Sequence, residues 1–153
     1  MHFVPRVWIV TFACWSALAP VGAGGQVCPP PHGWQGICPT HPGYRQSRMD
    51  DFRRARRDFE IDGIWLDYHH SRASWERAEP DMPDTCFCRR CVDRFAHETN
   101  TQLPHEPLPQ LAQRLLGQHA DARVQWRCGV FTDWVREFRS RHGLQLGLAA
   151  RTA

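Results

Sequence analysis

The sequence predicts an α/β fold that combines a few parallel strands with several helices, and two adjacent patterns indicate it. From Tyr44 to Glu60, apolar residues recur at spacings of three and four, which predicts a helix with one buried face. The following run, Ile61 to Tyr68, is apolar at its centre without alternation, as expected for a strand covered on both faces. A helix followed at once by a buried strand is the second half of a βαβ unit.

Further elements follow towards the C-terminus. They are a helix from about Thr85 to Glu98, a short helix marked by Leu108, Leu111 and Leu115, a long helix from about Ala122 to His142, and a strand from Leu144 to Leu148. In the long helix, spacings of three and four place Cys128 on an apolar stripe between Val124 and Phe138. This stripe predicts that the Cys128 thiol is buried.

The N-terminal residues 1–23 have the composition of a signal peptide. Arg6 precedes an apolar stretch from Val7 to Ala19, and the small residues Val21 and Ala23 suit cleavage after Ala23. The apolar run is short for a membrane span, so no stable span is expected after cleavage. The pattern predicts a secreted or periplasmic protein. The alternatives are an uncleaved anchor, or a misassigned start that would leave the protein cytoplasmic.

Composition and charge indicate one globular domain and disfavour nucleic-acid binding. The chain has 153 residues, of which 42% are hydrophobic and 23% charged, and residues 24–43 form a Pro/Gly-rich loop. The formal net charge is only +3. The densest basic run, from Arg53 to Arg57, is flanked by acidic residues, which is typical of a solvated helix face. We therefore expect no nucleic-acid partner.

Candidate catalytic residues follow the predicted strand that ends near Asp67. In parallel α/β folds, ionisable residues at the ends of strands face the pocket, which makes Asp67 a candidate nucleophile or charge stabiliser and Glu76 a candidate acid/base. Aromatic and polar residues nearby can contact a sugar, which makes a carbohydrate the expected substrate; they are Tyr68, His69, His70 and Trp75, together with His41. In the alternative interpretation, Asp67 caps a loop and Trp75 and Glu76 are ordinary loop residues.

The cysteines suggest metal ligation. Cleavage after Ala23 would remove Cys14 and leave six, an even number that also suits disulfides in a secreted protein. However, Cys86, Cys88 and Cys91 fall within six positions, and such crowding is more typical of metal ligands than of three separate bridges. Free or disulfide-bonded cysteines remain the alternative.

These motifs together resemble a known family. The run from Asp62 to Tyr68, the Cys86 to Cys91 turn and the following Arg94-Phe95 pair are similar to the middle of bacterial glycoside-hydrolase-like proteins with a barrel catalytic domain. The resemblance covers about Cys38 to Phe138 and implies hydrolysis of O-glycosidic bonds. It also implies a (β/α)8 TIM-barrel-like domain over residues 36–148. This barrel would be partial, because a complete one needs about 250 residues, which leaves open a partner chain that completes it.

The cysteine turn also resembles that of family 42 β-galactosidases, in which three such cysteines and one upstream cysteine surround a structural zinc. The resemblance implies zinc ligation by Cys86, Cys88 and Cys91, with Cys38 as the fourth ligand. Cys128, His41 and His97 are the alternatives for the fourth position.

The sequence departs from the family pattern in two places. It carries Asp67-Tyr68 where the family 42 enzymes carry an Asn-Glu pair, and a strand bringing a second catalytic carboxylate would lie beyond Leu148. Two alternatives to an active hydrolase therefore stay open. One is a zinc- or disulfide-stabilised secreted module that binds carbohydrate or protein without turnover, and the other is a truncated product with an open sheet edge.

Overall fold

The computed structural model describes residues 19–29, 36–59, 63–66, 84–142 and 145–148. Six elements lie within these ranges: α1 (Pro42–Asp58), β1 (Gly63–Leu66), α2 (Arg89–Glu98), α3 (Leu108–Leu116), α4 (Ala120–His142) and β2 (Gln145–Leu148). The two strands pair with each other in parallel, with Gly63 opposite Gln145 and Leu66 opposite Leu148. Helices therefore make up most of the described structure.

This architecture contradicts the predicted α/β class and the partial (β/α)8 barrel over residues 36–148. A barrel alternates strands with helices, whereas α2, α3 and α4 follow one another within residues 84–142 without a strand element between them. Both α2 and α3 pack against α4 instead of covering a sheet. The described part is mainly helical, so the barrel prediction is wrong. The sequence motifs that suggested a barrel indicate individual helices and strands, but they do not determine how these elements pack together.

Helix α1 forms where the sequence predicts it. His41 caps its N-terminus by accepting a hydrogen bond from the Tyr44 amide at Nδ1 (3.3 Å), and Pro42 occupies the first turn, where its missing N–H costs nothing. Met49 and Phe52 are buried, and the Phe52 ring lies 4.8 Å from that of Phe138 on α4. The apolar stripe of α1 is thus buried against α4.

The main core lies between α2, α3 and α4. It consists of Phe87, Val92, Phe95, Leu111, Ala112 and Leu115. Trp126 of α4 closes this core, with its ring edge-on to Phe95 at 5.7 Å, a favoured aromatic arrangement. The same indole packs against the cysteines Cys38, Cys86 and Cys91. Trp126 therefore joins the helical core to the cysteine cluster.

The buried face of α4 differs from the predicted stripe. Val124 is 56% exposed and Cys128 is exposed, so the predicted burial of the Cys128 thiol is wrong. The inward-facing residues are Trp126, Val130, Trp134 and Phe138, which recur every four positions, so the predicted burial is confirmed at Phe138. The apolar residues of α4 occur on more than one side of the helix, so their spacing alone did not identify the packed side.

Residues 19–29 fold back on themselves and pack against the segment before α2. Val21 bridges Val27, and Gly22 bridges Thr85, both in antiparallel fashion. The turn between the two arms requires a positive φ of 81° at Gly25, which glycine adopts without steric cost. The Phe87 amide donates to the Val21 carbonyl at 2.8 Å. Residues 19–29 therefore lie directly beside the cysteine cluster.

None of the helices in the described part of the chain combines the length and the apolar character needed to span a membrane.

Arg123 of α4 holds the segment that leads into the cysteine cluster. Its guanidinium donates to the Asp84 carboxylate and to the Thr85 carbonyl, each at 3.2 Å, and it lies 4.3 Å from the centre of the Phe87 ring. The side chain is only 5% exposed, and burial lowers the pKa of Arg123. Its hydrogen bonds offset part of the cost of burying the charge.

Replacement of Arg123 by methionine is expected to lower the free energy of unfolding by about 1–3 kcal/mol, because the buried Thr85 carbonyl loses its donor. Urea unfolding followed by circular dichroism measures this change. The matched control is Arg136→Met, whose 76% exposed side chain pairs with Asp133. We expect the control to stay within about 0.5 kcal/mol of the wild type. Equal effects of the two substitutions would contradict the structural role of Arg123.

Candidate metal centre

Four cysteine side chains converge at one point in the structure. They are Cys38, Cys86, Cys88 and Cys91, and their sulfur atoms all lie within 4.8 Å of one another. The Cys38 sulfur is 3.5 Å from that of Cys91 and 3.6 Å from that of Cys88. Such a group of sulfurs can bind a metal ion.

Two separate segments bring the four sulfurs together. Cys38 lies in a tight turn before α1, closed by the hydrogen bond from the His41 amide to the Cys38 carbonyl (3.1 Å). Cys88 is the N-cap of α2, and Cys91 lies three residues later, so both side chains are on one side of the first helical turn. Cys86 precedes α2, and its sulfur accepts a hydrogen bond from the Cys88 amide (3.5 Å).

Hydrogen-bond donors surround three of the sulfurs. The Thr40 hydroxyl lies 3.1 Å from the Cys91 sulfur and 3.4 Å from that of Cys38. The Val21 amide donates to the Cys86 sulfur at 3.3 Å, and the Arg90 guanidinium donates to the Cys38 sulfur at 3.8 Å. Donors of this kind stabilise thiolates and fix the directions of the sulfur atoms.

The sulfur contacts also change the proton affinities of the four thiols. Contacts with the other sulfurs, that of Cys86 first, lower the pKa of Cys38 well below its usual range. Contact with Cys38 is the main cause that raises the pKa of Cys86 and of Cys91. At Cys88, contact with Cys38 raises the pKa, but contacts with Cys86 and Cys91 outweigh it and lower that pKa to about 7. A cation bound among the four sulfurs would displace protons from these thiols.

Positive charge nearby favours thiolates at this site. The N-terminus of α2 carries a partial positive charge from its unpaired backbone N–H groups, and Cys88 and Cys91 lie in its first turn. The Arg90 guanidinium adds a full positive charge beside Cys38. Both features lower the electrostatic cost of gathering several thiolates in a buried place.

The structure separates the predicted ligands from the alternatives. Cys38, Cys86, Cys88 and Cys91 come together, whereas Cys128 is exposed on α4 and is not part of the cluster. His41 caps α1 through its Nδ1 atom, and His97 is exposed in the last turn of α2. Among the described residues, the group of potential metal ligands consists of the four cysteines.

The predicted catalytic and most of the predicted sugar-binding residues lie outside the described residues. They are Asp67, Glu76, Tyr68, His69, His70 and Trp75. Glycoside hydrolysis and carbohydrate binding therefore stay predictions. His41 is described, and its imidazole serves the helix cap.

Three groups that contact the sulfurs are not predicted from the sequence, namely the Val21 amide, the Thr40 hydroxyl and the Arg90 guanidinium. Thr40 and Arg90 had a local signal, because each lies within two residues of a cysteine of the cluster. Val21 had no such signal, since 65 residues separate it from Cys86. Its contact depends on the way residues 19–29 fold back.

Comparisons with protein-family models, with curated proteins and with solved structures find no match for this chain. The resemblance to barrel glycoside hydrolases thus has no support from these comparisons, and the mainly helical architecture contradicts it.

Proposed function

We propose that Cys38, Cys86, Cys88 and Cys91 hold one structural zinc ion, and that the chain functions as a zinc-stabilised module. The observation that carries this proposal is the convergence of four sulfur atoms within 4.8 Å of one another from two segments of the chain. Four thiolates complete a tetrahedral zinc site and leave no position for a substrate or a reactive water. The metal would therefore support the fold.

The separation of the sulfurs supports a single ion. A Zn–S bond of about 2.3 Å in a tetrahedral site places neighbouring sulfurs about 3.8 Å apart. The two Cys38 contacts, 3.5 Å and 3.6 Å, are close to that separation. An iron–sulfur cluster needs room for several iron and sulfide atoms between its cysteines. Among single ions, zinc suits a site made only of soft thiolates.

Zinc at this position would link two distant parts of the chain. Cys38 and Cys88 are 50 residues apart, and their segments lead into α1 and α2 respectively. The ion would hold the start of α1 against the start of α2, next to Trp126 of the main core. Such a crosslink stabilises a small domain because the unfolded chain lacks a preformed site.

The surroundings suit the charge of a loaded site. One Zn²⁺ with four thiolates carries two net negative charges. The Arg90 guanidinium and the N-terminus of α2 offset part of this charge. The Thr40 hydroxyl and the Val21 amide can donate to the bound thiolates without further rearrangement.

Zinc content of the purified full-length protein tests the proposal. We expect one zinc per chain in the wild type by elemental analysis, and loss of tightly bound zinc in Cys88→Ser, because an oxygen replaces one sulfur ligand. The matched control is Cys128→Ser, which changes an exposed cysteine outside the cluster and should keep the full zinc content. A wild-type protein without zinc, or a Cys88→Ser variant with undiminished content, would contradict the proposal.

A further inference from the structure

The four sulfurs of the cluster differ in exposure. Cys38 and Cys91 are each 2% exposed and Cys86 is 6% exposed. Cys88, in contrast, is only partly buried, at the start of α2. A reagent in solution can therefore approach the cluster from the side of Cys88.

The sulfurs differ also in the donors that reach them. Thr40 and Arg90 contact the sulfur of Cys38, Thr40 contacts that of Cys91, and two backbone amides donate to that of Cys86. Within the described part of the chain, the Cys88 sulfur contacts the other three sulfurs and one backbone donor, the Cys91 amide, so it has no more donors than the buried Cys91 sulfur. Hydrogen bonds withdraw electron density from a thiolate, so the sulfurs of Cys38 and Cys86, with two donors each, are less nucleophilic than that of Cys88.

We propose that Cys88 is the modification site of the metal-loaded cluster, at which soft electrophiles such as maleimides and other activated alkenes attack first and release the ion. This inference rests on the proposed zinc site and specifies which of its ligands reacts. It follows from the greater exposure of Cys88, whose sulfur has no more donors than any other sulfur of the cluster.

The reaction with N-ethylmaleimide balances as follows. The Cys88 sulfur forms a bond to one alkene carbon, the π electron pair moves to the neighbouring carbon, and that carbon takes a proton from water. The thiolate becomes a neutral thioether, which is a weak zinc ligand, so Cys88 would no longer hold the ion. Three thiolates then hold the ion more weakly, and a chelator can remove it.

The experiment uses the full-length, zinc-loaded chain with Cys14 and Cys128 replaced by serine. Cys128 is exposed and would react independently of the site, and Cys14 lies outside the described residues. N-ethylmaleimide is added below one equivalent, a chromogenic chelator reports zinc release, and peptide mass spectrometry locates the adduct. We expect at least about fivefold more adduct at Cys88 than at any other cluster cysteine, with zinc released in step.

Thr40→Val provides a second variant that leaves the four ligands in place. It removes the hydroxyl that contacts the Cys91 and Cys38 sulfurs but keeps a similar volume. We expect the share of adduct at Cys91 to rise, because a donor to its thiolate is lost. A variant that only loosened packing would instead increase reaction at all four cysteines.

Two failures are distinguishable in this design. A protein without zinc before the reagent is added would overturn the proposed zinc site itself. A zinc-loaded protein in which Cys38, Cys86 or Cys91 reacts first, or in which the four react equally, would overturn only the assignment of Cys88. The adduct distribution over the four cysteines in denatured protein with chelator is the reference for equal reactivity.

Discussion

Replacement of Cys91 by serine is expected to abolish tight zinc binding and to lower the free energy of unfolding by at least about 3 kcal/mol, because binding to structural zinc sites contributes strongly to folding. Cys91 is 2% exposed, and its sulfur contacts both the Cys38 sulfur and the Thr40 hydroxyl. Its loss disconnects the turn before α1 from the start of α2. Urea unfolding of the zinc-loaded proteins measures the difference.

Two comparisons separate this metal effect from ordinary packing. Cys28→Ser changes a cysteine that is 3% exposed but lies outside the cluster, so it should leave zinc content unchanged. With a strong chelator present, the difference in the free energy of unfolding between the wild type and Cys91→Ser should become small, because both proteins then lack zinc. If this difference in the free energy of unfolding is equally large with and without chelator, zinc does not cause it.

Replacement of Phe95 by alanine is expected to lower the free energy of unfolding by about 3–5 kcal/mol, as for other large-to-small changes in cores. Phe95 is 0% exposed, packs among the buried residues of α2 and α3, and meets the Trp126 ring edge-on. The substitution leaves a cavity at the junction of three helices. Thermal or urea unfolding by circular dichroism measures the loss.

The matched control for this substitution is Phe59→Ala. Phe59 ends α1 and is 57% exposed, so its truncation should change the free energy of unfolding by no more than about 0.5 kcal/mol. A Phe95→Ala loss no larger than that of Phe59→Ala would contradict the core placed between α2, α3 and α4.

Local patterns in the sequence predicted the positions of the helices well. The apolar spacing in α1 correctly identified Met49, Phe52 and Ala55 as buried, because they form one apolar stripe on a helix rich in charged residues. The same spacing placed Phe59 on this stripe, which is wrong, since its side chain is 57% exposed. The helix predicted from Thr85 begins instead at Arg89, since residues 84–88 are extended and carry two of the cysteines. Boundaries of this kind depend on tertiary contacts such as that of Arg123 with Thr85.

The overall architecture was not predictable in the same way. A short apolar run such as Ile61 to Tyr68 indicates local structure, but it does not show how many strands lie beside it. The run was interpreted as part of a barrel, whereas its described strand, β1, pairs with β2 and the neighbouring helices pack on one another. The arrangement depends on contacts between distant residues, which single-sequence patterns do not record.

The candidate metal site was largely predictable from cysteine spacing. Cys86, Cys88 and Cys91 are close in sequence, so any fold that starts a helix at Cys88 brings them near one another. The approach of Cys38 depends on a turn 50 residues away, and only the family resemblance pointed to it. The role of Val21 follows from tertiary folding alone, and that of Thr40 had only its closeness to Cys38 in sequence as a signal.

Zinc K-edge X-ray absorption of the full-length protein tests the proposed centre most directly, because it reports both the ion and its ligands. We expect one zinc per chain with four sulfur neighbours at about 2.3 Å and no nitrogen or oxygen in the first coordination shell. A spectrum with nitrogen or oxygen ligands in place of one or more sulfurs, or a protein that binds no zinc, would contradict the assignment of these four cysteines as a closed structural site.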